Sequence, residues 1–164
     1  MKADKKITPC LWFDKEAEEA ANFYVSVFKN SSINQISRYG NEGKDIHGMD
    51  AGTVLTVSFS LNDQPFLALN GGPVFKFNES VSFQVFCDTQ EEIDYYWNNL
   101  IKDGGQESQC GWLKDKYGLS WQIIPTVLSE LMSSGDIDKS DKVMKAFLKM
   151  KKFDIQSLLN TAGE

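Results

Sequence analysis

The chain has 164 residues and a formal net charge of −6, with 41% hydrophobic and 24% charged residues. That length suffices for one domain, or two small fused modules, with a real core and no staples. The acidic balance opposes nucleic-acid binding, which relies on cationic contacts to phosphate, and no apolar run approaches the ~20 residues needed to cross a bilayer.

The opening Met1-Lys2-Ala3-Asp4-Lys5-Lys6 is charged and lacks the apolar stretch of a secretory signal, so a cytoplasmic protein is expected. Ile7 to Phe13 reads as the first strand, with Cys10 and Trp12 on one face and Leu11 and Phe13 on the other. Asp14 is the expected N-cap of the helix that follows, and Glu16, Glu18 and Glu19 complement its dipole. Ala20, Phe23, Tyr24, Val27 and Phe28 form its inward face, and it should end near Lys29-Asn30. Ile33 to Tyr39 is a second strand, followed by a glycine-bearing loop from Gly40 to Gly52 that holds the only histidine, His47. Thr53 to Leu61 and Phe66 to Asn70 read as a hairpin around Asn62-Asp63-Gln64-Pro65, closed by Gly71-Gly72-Pro73.

The chain then repeats itself at an offset of 73 residues. Glu18 falls on Glu91, Glu19 on Glu92, Phe23 on Tyr96, Tyr24 on Trp97, Val27 on Leu100, Phe28 on Ile101 and Lys29 on Lys102. Two copies nearly fill the chain, which predicts two similar modules and not a solenoid. In the second, Ser80 to Cys87 is a strand alternating Ser80, Ser82 and Gln84 against Val81, Phe83 and Val85. A helix begins after Asp88 and stops at Asp103-Gly104-Gly105. Ser108 to Lys114 and Leu119 to Ile124 are the last strands, joined by Asp115-Lys116-Tyr117-Gly118, and Pro125 ends the sheet. Helices are expected over Val127 to Met132, Lys139 to Lys151 and Ile155 to Leu159, with Val143, Met144, Phe147 and Leu148 as an apolar stripe packed on the sheet or on a second subunit.

Cys10, Cys87 and Cys110 are odd in number and widely spaced, which argues against disulfides or a zinc knuckle and for buried thiols. His47 reads as an exposed loop histidine more readily than as a general base. Glu18-Glu19 and Glu91-Glu92 are explained by helix dipoles.

The segments Phe23-Tyr24-Val25-Ser26-Val27-Phe28 and Cys110-Gly111-Trp112-Leu113-Lys114-Asp115-Lys116-Tyr117-Gly118-Leu119-Ser120-Trp121-Gln122-Ile123-Ile124-Pro125 resemble the PhnB-like branch of the glyoxalase, bleomycin-resistance and dioxygenase (vicinal oxygen chelate) superfamily. The resemblance runs from about Ile7 to Pro125 and continues over Met150 to Leu159. It implies an α+β fold of two βαβββ modules forming a curved mixed β-sheet cup, with C-terminal helices. The expected division is a glyoxalase-like domain over 1–135, its modules at about 6–73 and 79–126, and a helical tail over 136–164.

Members of this branch often carry the label 3-demethylubiquinone-9 3-methyltransferase domain. A methyltransferase of the usual α/β type has a glycine-rich loop after its first strand, where this chain has Asp14-Lys15-Glu16. Superfamily enzymes hold a divalent metal with His, Glu or Gln at four strand positions. Those positions fall approximately on Thr8, Ala68, Ser82 and Gln122, of which only Gln122 is a plausible ligand. No metal and no cofactor are therefore expected.

The expected ligand pocket is lined by Thr8, Cys10, Trp12, Thr56, Ser58, Asn70, Ser82, Gln84, Trp112 and Gln122, an aromatic and mildly polar face without formal charge. Trp112 suits either stacking on a planar ligand or core packing. The function this implies is small-molecule binding without the superfamily's metal ligands, by a protein that pairs as a homodimer. Alternatives are a metal-dependent lyase, isomerase or dioxygenase, or the methyltransferase of the label. No nucleic acid and no membrane are expected as partners.

Overall fold

The structure, a computed structural model, describes residues 6–163. The charged start at residues 1–5 and the last residue lie outside the described residues. The chain divides into two compact units, the first ending at Lys76 and the second beginning at Phe77.

The first unit runs β1 (Cys10–Phe13), α1 (Ala17–Val27), β2 (Ser32–Arg38), α2 (Lys44–His47), β3 (Val54–Leu61) and β4 (Gln64–Asn70). Its sheet has the order β1-β4-β3-β2, with β1 parallel to β4 and the other pairs antiparallel. Leu11, Phe13, Val57, Phe59, Leu61, Phe66 and Ala68 are buried on one face, where Ala17, Ala20, Ala21, Tyr24 and Val27 of α1 complete the core. β1 is shorter than the predicted Ile7 to Phe13; Pro9 contributes only its carbonyl, which accepts from the Leu67 amide. The hairpin turn is tighter than predicted: Asn62 and Asp63 alone make it, with φ of 46° and 62°, the left-handed pair that matches strand twist.

Asp14 does not cap α1. The helix starts at Ala17, and the Ala17 amide donates to Asn70 Oδ1 at 2.8 Å, so the cap comes from the end of β4. Asp14 Oδ1 is buried with no hydrogen-bond partner among the described residues.

The second unit runs β5 (Ser82–Cys87), α3 (Gln90–Leu100), β6 (Gln106–Glu107), β7 (Trp112–Lys114), β8 (Ser120–Pro125), α4 (Thr126–Met132), α5 (Ile137–Phe147) and α6 (Ile155–Ala162). The order β5-β8-β7-β6, again with the outer pair β5 and β8 parallel, repeats the first sheet's topology. Both units are therefore βαβββ, and the fold is α+β with two four-stranded mixed sheets. Gln90 lies 73 positions after Ala17 and Leu100 lies 73 after Val27, so the two long helices occupy the offset read from the sequence. Tyr24 and its counterpart Trp97 are both buried, as are Val27 and Leu100.

Thr89 caps α3, accepting from the Glu92 amide, while Glu92 Oε2 accepts from the Asp88 amide. The predicted strand Ser108 to Lys114 is cut to Trp112–Lys114, and β6 lies ahead of the predicted range, because Cys110 and Gly111 adopt φ of 56° and 79° and turn the chain between β6 and β7.

The C-terminal helices pack within the second unit, with Leu131, Val143, Phe153 and Leu158 buried. The Cys110 and Gly111 amides donate to Met150 and Lys151 carbonyls at 2.8 and 2.7 Å. Gln90 accepts from the Ile155 amide and donates to the Phe153 carbonyl, and Lys152 pairs with Asp94 at 2.5 Å. Of the predicted α5 stripe only Val143 is fully buried; Met144 and Leu148 are 41% and 58% exposed. Among the described residues no helix is long and apolar enough to cross a membrane.

Candidate functional site

Strand alternation puts two residue sets on opposite faces of each sheet. In the second unit Leu113, Trp121 and Ile123 are buried on the face that α3 covers. The opposite face presents Ser82, Gln84 and Phe86 of β5, Ser120, Gln122 and Ile124 of β8, Trp112 and Lys114 of β7, and Gln106 of β6. Registration arranges these in rows across the strands. Gln84, Gln122 and Trp112 form one row; Ser82, Ser120, Lys114 and Gln106 form the next.

The amides on this face are wired to one another. Gln122 Nε2 donates to Ser82 Oγ at 2.7 Å, and Gln84 Nε2 donates to Gln122 Oε1 at 3.3 Å. Phe86 is 56% exposed, and Trp112 and Gln122 are half-buried. Ser82, Gln84, Trp112 and Gln122 are thus brought together on one sheet face.

In the first unit Cys10 and Trp12 of β1 share a face with Leu67 and Leu69 of β4 and with Thr56 and Ser58 of β3. Thr56 Oγ1 is 2.5 Å from Ser37 Oγ. Thr8 precedes β1 and is exposed. Cys10 is exposed, against the expectation of a buried thiol, because its strand face carries no covering helix; Cys87 is buried, and its thiol is pushed up to about 12 by that burial and by the nearby carboxylates of Glu92 and Asp88.

Trp12 is turned away from a free stacking role. Its Nε1 donates to the Gly72 carbonyl at 2.8 Å, and its ring meets Phe75 edge-on at 5.0 Å. A Cβ on Gly71 would stand 2.2 Å from the indole, so the Gly71-Gly72 pair serves as the seat of this ring. Gly71→Ala should cost about 1–3 kcal/mol of stability, as overpacking does, and displace Trp12. Urea unfolding followed by tryptophan fluorescence checks both, and an unchanged midpoint would refute the seat.

Asn70 lies on the other face from Cys10, Trp12, Thr56 and Ser58. It is buried in step with Phe66 and Ala68, its Oδ1 capping α1 and its Nδ2 donating to the Val54 carbonyl at 3.0 Å. It lines a separate cavity of about 510 Å³ with Lys15, Glu18, Arg38, Met49 and Asp50. His47 is held locally, its ring 4.4 Å from that of Tyr39 and its Nδ1 accepting from the Met49 amide, while Nε2 lies 3.1 Å from the Glu42 carbonyl.

The four positions expected to bear metal ligands do not suit one. Ala68 is buried on the α1 side, Thr8 and Ser82 offer neutral hydroxyls, and the Gln122 carbonyl already accepts from Gln84. Among the described residues no three His, Cys, Asp or Glu side chains group to hold a metal ion. A neutral amide and hydroxyl set binds a transition metal weakly, so this donor set does not fit the superfamily's metal.

The sequence reading gives no place in the pocket to Glu79, Gln106 and Lys114, which lie beside Ser120 of the same sheet face. They border a cavity of about 140 Å³ beside Trp112. Its only sequence signal was the alternation that puts Lys114 two residues from Trp112.

Residues 5–124 match the family model described as 3-demethylubiquinone-9 3-methyltransferase. Among solved structures, a Bacillus cereus PhnB protein titled as a 3-demethylubiquinone-9 3-methyltransferase is 39% identical, the match covering 74% of this chain and all of that one, with a TM-score of 0.66. A Pseudomonas aeruginosa protein is similar at 16% identity, over 74% of this chain and 98% of that one, with a TM-score of 0.59. The fosfomycin resistance protein FosX of Mesorhizobium loti is similar at 12% identity, over 78% and 96% of the two chains, with a TM-score of 0.54. At these last two identities the likeness is one of fold. Comparison with curated proteins finds no match.

Proposed function

Because the chain belongs to the 3-demethylubiquinone-9 3-methyltransferase family, in the PhnB-like branch of the glyoxalase superfamily, we propose that it is a small-molecule-binding protein that works without the superfamily's metal. The observation that carries this reading is the open face of the second sheet. There Gln84, Gln122 and Ser82 form a neutral hydrogen-bonded ladder in register with Trp112. Such a face offers an apolar wall and a few convergent polar groups, the ordinary makeup of a ligand site.

The methyltransferase in the family's description requires a methyl donor. In this chain the link from β1 to α1 is Asp14-Lys15-Glu16, and the Gly71-Gly72 pair is occupied by Trp12.

One experiment separates these readings. The purified chain is equilibrated in turn with nickel, zinc, manganese and ferrous iron, analysed for bound metal, and titrated calorimetrically with S-adenosylmethionine. The expected result is well under one metal per chain and no saturable heat. Retention of one metal per chain would overturn the metal-free reading, and saturable S-adenosylmethionine binding would restore the methyltransferase.

A further inference from the structure

The cavity at the β6–β7–β8 end of the open face carries chemistry that the neutral ladder lacks. We infer that it recognises the carboxylate of a small planar acid; this rests on the small-molecule reading above and specifies its ligand class.

Gln106, Lys114 and Ser120 stand side by side across three strands, Lys114 registered opposite both of the others. They border a cavity of about 140 Å³ that also touches Glu79 and Trp112. Ser120 has no exposed surface, and its Oγ has no hydrogen-bond partner among the described residues. A buried hydroxyl left unpaired is costly, which marks the place of an acceptor that the protein itself does not supply. Beside it stands the one cation of the row, Lys114, paired with Glu79.

That pair does not lock the site. Glu79 is 62% exposed, so solvent screens its attraction to Lys114 and the pair is weak. An incoming carboxylate replaces Glu79 on Lys114 at little cost and also accepts from Ser120 and the Gln106 amide. The other carboxylate at the rim, Glu107, is already engaged: its Oε1 accepts from Trp97 Nε1 at 3.1 Å and its Oε2 from Lys151 at 3.4 Å.

Size and spacing complete the specification. The cavity is well below the ~300–1,000 Å³ of sites for drug-sized ligands. Lys114 stands two residues along β7 from Trp112, about 6.6 Å at the usual strand rise. A flat apolar body against Trp112 thus brings its acidic group to Lys114.

The test uses benzoate and its neutral isostere benzamide as probes of the full chain, followed by amide chemical shifts. Benzoate is expected to move Trp112, Lys114 and Ser120 and to bind roughly tenfold tighter than benzamide, the worth of a charge-assisted hydrogen bond. Lys114→Gln should abolish that preference, and Glu79→Gln, which removes the competing carboxylate, should tighten benzoate severalfold. Both side chains are partly exposed, so both variants should keep the wild-type spectrum. Equal binding of the two probes at Ser82, Gln84 and Gln122 would overturn the carboxylate assignment and leave the small-molecule reading standing. Shifts confined to other surfaces, or none, would overturn both.

Discussion

Replacing Asp115 by alanine is expected to cost about 3–4 kcal/mol of folding stability. The residue is 3% exposed, and its carboxylate accepts at Oδ1 from the Tyr117 and Leu119 amides at 2.9 and 3.1 Å and at Oδ2 from Trp121 Nε1 at 2.9 Å. The Leu119 amide and Trp121 are themselves buried, so truncation leaves donors that water does not reach, each costing about 1 kcal/mol or more. Asp115→Asn should be milder, about 1–2 kcal/mol, since its carbonyl still serves the turn while its NH2 confronts the Trp121 N–H. Urea unfolding of the two variants checks the order and the size. A loss below about 1 kcal/mol for alanine would mean that the turn re-forms its bonds without the carboxylate. The consequence reaches the site, because this turn delivers β8, and with it Ser120 and Gln122.

The second large effect is expected at Gly111, where alanine should destabilise the second unit by about 2–5 kcal/mol. The estimate combines about 1–2 kcal/mol for a side chain in left-handed backbone with about 1–3 for overpacking. With φ of 79°, a Cβ at this position would lie 2.4 Å from Phe153 Cε2 and 2.7 Å from the Ile123 carbonyl oxygen. The aromatic ring can retreat only by leaving its buried place; the carbonyl belongs to β8 and has nowhere to go. Relief therefore comes by lifting Phe153, which strains the bonds from Cys110 and Gly111 to Met150 and Lys151. Hydrogen exchange should show early loss of protection in α6 with the first unit unchanged. Wild-type protection in α6 would show that the tail does not depend on this contact.

Much of this architecture was legible in the residues. The 73-residue echo placed both long helices, since a helix must repeat its buried pattern wherever it meets an equivalent sheet; Tyr24 and Trp97 occupy equivalent buried positions because bulk there is what each module needs. Alternation along β5 and β8 likewise puts Ser82, Gln84 and Gln122 on one face from the residues alone, because the period of a strand is two. The same rule, carried one residue out of step, put Asn70 with Thr56 and Ser58 when it belongs with Ala68 and Phe66.

Long-range pairing is where local reasoning stopped. The cap of α1 comes from Asn70 and not Asp14, because a helix N-terminus accepts any acceptor that tertiary packing brings to it. The strand predicted from Ser108 begins only at Trp112, because Cys110 and Gly111 turn and their amides meet the tail. Gly71-Gly72 became a seat for Trp12 through contact across the chain. The Gln106, Lys114 and Ser120 row exists only once three strands are in register. Periodicity, repeat and turn chemistry are properties of neighbouring residues, so the sequence by itself determined the two repeated strand-and-helix modules and the faces of β5 and β8, while β6 and the face of Asn70 lay beyond it. Caps, seats and the charged end of the pocket depend on residues far apart in the chain, and only the tertiary structure decided which of them meet.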